Sequence, residues 1–248
     1  MSDGWIDKKK RSLANFLVNS PAGTIFLHSM DTIDFSKIAQ NLFELLDDVV
    51  DKVGEENVVQ IVTDNASNYK EAGKLLIEKR KRLFWTPCVA HCIDLMLEDL
   101  EKKDIVHKVT IAKARKVVSY VYSWDTVVNW MKQFTKGKEL IRPGLTRFAT
   151  AYLTMRRLSE QKGALYNFFT SDKWKGSVYE GRKKGKQVYE IVFDNQGFWE
   201  NLDICLKVVS PLIKVLRMVD SDDKPAMGFL YKAMDLAKEE IKKNVDNN

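Results

Sequence analysis

Val58-Val59-Gln60-Ile61-Val62-Thr63-Asp64-Asn65-Ala66-Ser67-Asn68 is the stretch from which the fold is read. The run 58–63 is compact, apolar and β-branched, the composition of a strand buried in a parallel sheet, and it stops at an acid. Helical spacing begins at Asn68 or Tyr69 and continues to Glu78, closed by the basic cluster 79–82. A strand that ends in Asp64 and turns into a helix is a unit of an α/β fold. Open α/β sheets gather functional groups at such strand ends.

Upstream, 12–19 and 24–29 are apolar-rich stretches separated by Pro21-Ala22-Gly23, which predicts a hairpin. Phe35, Ile38, Leu42, Leu45, Val49 and Val53 recur at helical spacing and predict a helix over 34–52, stopped by Gly54. Downstream, 83–86 reads as a short strand, and Pro87 leads into an amphipathic helix carrying Ile93, Leu95, Met96, Leu97 and Leu100. Beyond about residue 104, helical periodicity dominates over 106–131, 145–161, 198–219 and 226–245. Residues 188–193 fit a local strand or a first helical turn equally well. The breakers are Pro143-Gly144, 173–185 and 221–225. An α/β unit over 1–103 and a mainly helical unit over 104–248 follow, with the strands at 12–19, 24–29 and 58–63 expected in one sheet.

The 248 residues are 45% hydrophobic and 30% charged, ordinary for a globular protein with a substantial core. A formal charge of +6 favours anionic partners. Three cysteines argue against a disulfide-stapled design. No apolar run is long enough for a membrane span and no secretory leader is recognisable, so the expected address is reducing and intracellular.

Asp64 at a strand end suits Mg²⁺ or Mn²⁺, which take hard oxygen ligands. The same residues, with Asn65 and Ser67, also read as a turn that caps the next helix. Asp3, in Ser2-Asp3-Gly4-Trp5, is a second candidate acid or a solvated terminal one. Cys88, His91 and Cys92 stand at i, i+3 and i+4, which permits crowded zinc ligation, although helix packing or capping is the favoured reading. Nucleophile elbows, papain-like cysteine contexts and glycine-rich phosphate loops do not occur in the sequence. Basic clusters stand at Lys8, Lys9, Lys10 and Arg11, at 79–82, and at Arg182, Lys183, Lys184 and Lys186. The last group reads as a glycine-punctuated loop able to meet phosphates.

Several ordered blocks carry a resemblance. They are 1–7 with 11–18, then Val62-Thr63-Asp64-Asn65-Ala66-Ser67-Asn68-Tyr69, and then Pro87-Cys88-Val89-Ala90-His91-Cys92. Arg142-Pro143-Gly144-Leu145-Thr146-Arg147-Phe148, Trp174, 215–220 and 224–228 continue the series. Together they resemble the plant hAT-type transposase family, in its domain-of-unknown-function segment (DUF659). The resemblance implies a ribonuclease-H-like core interrupted by a helical domain, with two aspartates and a distant glutamate binding divalent metal for DNA strand cleavage and transfer. Asp3 matches the first aspartate and Asp64 the second. Trp5, Asn65, Asn68, Cys88 and His91 match positions that shape the site. Arg147 joins the basic clusters as a candidate nucleic-acid contact.

The match also has departures. The sequence starts almost at Asp3, where the family has a central strand, and Glu239-Glu240 lacks the motif around the third acid. The family's zinc finger and its dimerisation block have no counterpart. The expectation is a transposase-derived fragment, catalytically inactive alone, with weak DNA binding. An active metal-dependent transposase component and a host-adopted DNA-binding or regulatory protein are the alternatives. No cofactor is expected to be needed for folding, and Mg²⁺ or Mn²⁺ only for residual activity. The expected setting is the nucleus, away from membranes, as a monomer or with a longer family member.

Overall fold

The computed structural model describes residues 1–7, 11–31, 38–142, 144, 149–221 and 226–246. They form two compact units, Met1–Cys92 and Ile93–Asn248. The first is mixed α/β and the second is helical. The dividing point lies inside one helix, Val89–Lys103, whose C-terminal end was the boundary expected from sequence. No helix among the described residues is long and apolar enough to cross a membrane.

In the first unit, strands β1 (Ser2–Ile6), β2 (Ser12–Ser20) and β3 (Gly23–Asp31) form an antiparallel sheet in that order. The opening residues thus supply a strand of their own. The Met1 amino group donates to the Leu17 carbonyl at 2.7 Å and ties down the chain start. The β2–β3 hairpin turns at Pro21-Ala22, and Gly23 takes a φ of 125°, a conformation that favours glycine. On β2, Ala14 and Phe16 alternate into the core, where His28 of β3 stacks on Phe16 at 5.0 Å.

Helix α1 (Ala39–Val53) covers this core with Leu42, Leu46 and Val50. The buried stripe is turned by one position from the predicted one, so Leu45 and Val49 flank it, half-buried. After α1 come β4 (Gln60–Thr63), α2 (Ser67–Lys79) and β5 (Phe84–Pro87). Strands β4 and β5 pair in parallel, from Gln60 opposite Phe84 to Thr63 opposite Pro87. A buried ion cluster joins α1 to the end of α2. Arg80 Nε donates to Asp47 at 2.7 Å, while its other nitrogens reach Asp51 and Glu55.

The expectation of a single sheet is corrected, because β4 and β5 make a separate two-stranded sheet. Strand β1 lies alongside β4 without a backbone ladder. Tyr69 from α2 places its hydroxyl next to Gly4 of β1, 3.4 Å from where a side chain there would begin.

The chain continues through α3 (Val89–Lys103), α4 (Ile105–Val121), α5 (Asp125–Phe134), α6 (Ala149–Glu160) and α7 (Lys162–Thr170). Then come α8 (Val178–Gly181), α9 (Lys183–Phe193), a π-helical turn (Asn195–Trp199), α10 (Glu200–Val219) and α11 (Met227–Asp246). Asp104 caps α4 by accepting from the His107 N–H at 2.9 Å. Helix α4 packs on α6, α9 and α10 and buries Ile111, Val117, Val118 and Val121. The predicted helix over 106–131 is two helices, broken at Tyr122–Trp124. Residues 188–193, open between strand and helix, are helical and bury Val188, Ile191 and Val192 on one face.

Candidate functional site

The site is built where β4 ends. Thr63 is buried and braced from two directions: its hydroxyl accepts from Trp85 Nε1 at 3.0 Å and donates to the Asp64 carbonyl at 3.0 Å. The Cys88 N–H donates to the Thr63 carbonyl at 2.7 Å, carrying the parallel ladder past the end of β5. Trp85 reaches Thr63 because Gly73 leaves room for it. A side chain on Gly73 would start 2.4 Å from the indole. This rigid end presents Asp64, half-buried, at the entrance to α2.

Asp3 stands in β1 opposite Asn15. Strand alternation buries Ser2 and exposes Asp3. Tyr69, buried in the first turn of α2, lies within electrostatic reach of both acids. Burial pushes its phenol pKa up, and the negative charges of Asp64 and Asp3 push it the same way. The structure thus brings both carboxylates into electrostatic reach of one phenol, from segments about sixty residues apart in sequence. The buried Ser2 hydroxyl lies near enough to draw the Tyr69 pKa partly back, yet closes no hydrogen bond of good geometry. Sequence reasoning used Tyr69 only as a helix start. An aromatic residue one turn after a strand-end acid was the signal available.

The other candidates divide into groups. Trp5 sits in β1 opposite Leu13. Asn65 is half-buried in the β4–α2 turn, and Asn68 accepts from the Tyr69 N–H at 3.0 Å. The capping alternative for Asp64, Asn65 and Ser67 is not realised, since the N-cap of α2 is Ala66 and no side chain bonds there. Cys88 and His91 are half-buried next to the site through the Cys88–Thr63 bond. Burial pushes the neighbouring Cys92 thiol pKa up. Among the described residues no group of three or more His, Cys, Asp or Glu side chains is placed to hold a metal ion.

Of the basic candidates, Lys8, Lys9, Lys10 and Arg147 lie outside the described residues. Arg11 is engaged by Asp7, with Nε at 2.7 Å from the carboxylate. The cluster at 182–186 is not a loop, which corrects the glycine-based reading. Lys183, Lys184 and Lys186 belong to the first turn of α9, and Arg182 just before it lies 4.5 Å over the Trp124 ring. Glycine misled here because Gly185 serves close packing: a side chain on it would start 2.0 Å from the Tyr179 carbonyl.

Comparison with known proteins finds no match among curated ones. A family model, described as a domain of unknown function (DUF659), matches residues 1–117. That match covers the α/β unit with both aspartates and runs into α4. Residues 1–117 of this chain are a DUF659 domain.

Proposed function

We propose that the chain is a hAT-transposase-derived scaffold. Its first unit is a ribonuclease-H-like core, and the chain binds DNA without completing strand cleavage alone. The convergence of Asp3 and Asp64 on Tyr69 carries this reading. The succession β3-β2-β1 antiparallel, then β4-β5 parallel with β1 beside β4, supports it as well.

Asp3 and Asp64 are oxygen donors of the type Mg²⁺ and Mn²⁺ prefer. They do not by themselves fit a two-metal centre, which needs carboxylates around both ions. A longer family member supplying a further acid would complete the set. A role on DNA also implies residence in the nucleus.

The test incubates purified chain with labelled transposon-end DNA in Mg²⁺ and in Mn²⁺, beside an Asp64→Asn variant. The expected result is salt-sensitive binding without cleavage. Cleavage that disappears in Asp64→Asn would overturn the non-cleaving part of the reading. Failure to bind at any salt concentration would overturn the DNA part.

A further inference from the structure

Helices α4 and α9 enclose a groove of about 280 Å³ within the helical unit. Its floor is apolar, made by Tyr120 and Val188, and its walls carry Arg115, Lys116, Ser119, Ser123, Lys184 and Gln187. The helical repeat explains the lining. Lys116 and Ser119 stand at i and i+3 on one face of α4, with Ser123 in the turn just after it, while Lys184, Gln187 and Val188 share a face of α9. Tyr120 donates to the Tyr179 carbonyl at 2.6 Å, and Gly185 packs against the same carbonyl. That contact presses the start of α9 onto α4 and sets Lys184 across from Lys116.

The cations differ in how far they are committed. Arg115 is held bidentately by Glu101, which orients the guanidinium and offsets part of its charge. Lys116 and Lys184 form no ion pair among the described residues. Ser123 spends its proton on the Ser119 carbonyl, whereas Ser119 and Gln187 have donors to offer. A second groove lies between α6 and α10. Of its cations, Arg156 is paired with Glu160 and Lys214 with Glu240, whereas Arg217 forms no ion pair among the described residues.

We propose that the α4–α9 groove seats a phosphate oxyanion of a nucleic-acid backbone, held by Lys116 and Lys184 with Ser119 and Gln187 as neutral donors. The nucleic-acid part rests on the reading given under Proposed function. The groove chemistry alone would also accept free phosphate.

The experiment measures fluorescence anisotropy of a labelled random-sequence duplex with the full chain across a salt series. The chain is compared with Lys116→Ala/Lys184→Ala and with a control pair outside the groove, Lys207→Ala/Lys242→Ala. Circular dichroism confirms equal folding. The groove pair should lose about tenfold or more in affinity at low salt and flatten the log–log salt slope by about 1, the counterion-release value for the one phosphate that both lysines hold. The control pair should lose less than about threefold. Equal losses from both pairs, or none from the groove pair, overturn the proposal.

Calorimetric titration with inorganic phosphate separates the two sources. A chain that ignores duplex but binds phosphate through Lys116 and Lys184 keeps the groove and removes the DNA reading. A chain that binds neither removes both.

Discussion

The Tyr69 hydroxyl lies 3.4 Å from where a side chain on Gly4 would begin, so a phenol from α2 stands directly against the strand that carries Asp3. The same ring feels Asp64 from the end of β4. Its titration therefore reports on both acids. The absorbance difference between the chain and Tyr69→Phe should show a phenol ionising above its ordinary range. Asp64→Asn and Asp3→Asn should each bring that titration down, because each removes a negative charge that opposes phenolate. An unchanged Tyr69 titration in the double variant would dissolve the acid pair.

Arg80 and Asp47 are both buried, at 6% and 7% exposure, and they hold α1 to α2. Burial raises the Asp47 pKa, but hydrogen bonds from Arg80 and Lys79 outweigh it and hold the carboxyl below its usual range. Arg80→Met should cost about 3–5 kcal/mol in denaturant unfolding, since it leaves a buried carboxylate with only the exposed Lys79 as an ionic partner. Adding Asp47→Leu should restore much of the loss. A depressed folded-state pKa gives stability that is present above the ordinary carboxylate range. It is lost as pH falls through the folded value. The Arg80 variant should lose that acid-side dependence.

His107 is buried in α4, and its Nδ1 lies 3.0 Å from the Tyr152 hydroxyl of α6. Burial lowers its pKa below 6.5, with Asp104 pulling partly the other way. Nearby, burial pushes the Cys205 thiol up to about 11, so the thiol stays neutral. The unfolded chain takes up the histidine proton first as pH falls. Stability should thus be full above about pH 6.5 and decline below it, down to the folded pKa. His107→Gln, which keeps a hydrogen-bonding group for Tyr152 but does not titrate, should flatten that decline in thermal unfolding across pH 5 to 8.

Gly73 sits 2.4 Å, measured from the start of a would-be side chain, from the Trp85 indole that bonds Thr63. Gly73→Ala should overpack this contact and cost about 1–3 kcal/mol. It should also change the Trp85 fluorescence as the indole leaves Thr63. In a Trp85→Leu background the alanine should cost less than about 1 kcal/mol; an equal cost would show that the indole is not the obstacle.

Local patterning was enough for most of the elements. The strand before Asp64, the helix after it, the hairpin around Gly23 and the helical stretches of the second unit all follow from period and turn chemistry. Those signals are carried by residues within a few positions of one another. The same source pointed to Asp3 and Asp64, through residue type and family likeness. Tertiary structure alone brought those acids to Tyr69, divided the strands into two sheets, and set Lys184 across a groove from Lys116. It also turned a glycine-marked basic segment into the start of a helix, because Gly185 answers to Tyr179 rather than to its own neighbours in sequence. The physical reason is the same for the acids, the sheets and the groove. Periodicity states which face of an element is buried, whereas the partner that buries it is chosen by packing among segments far apart in the chain.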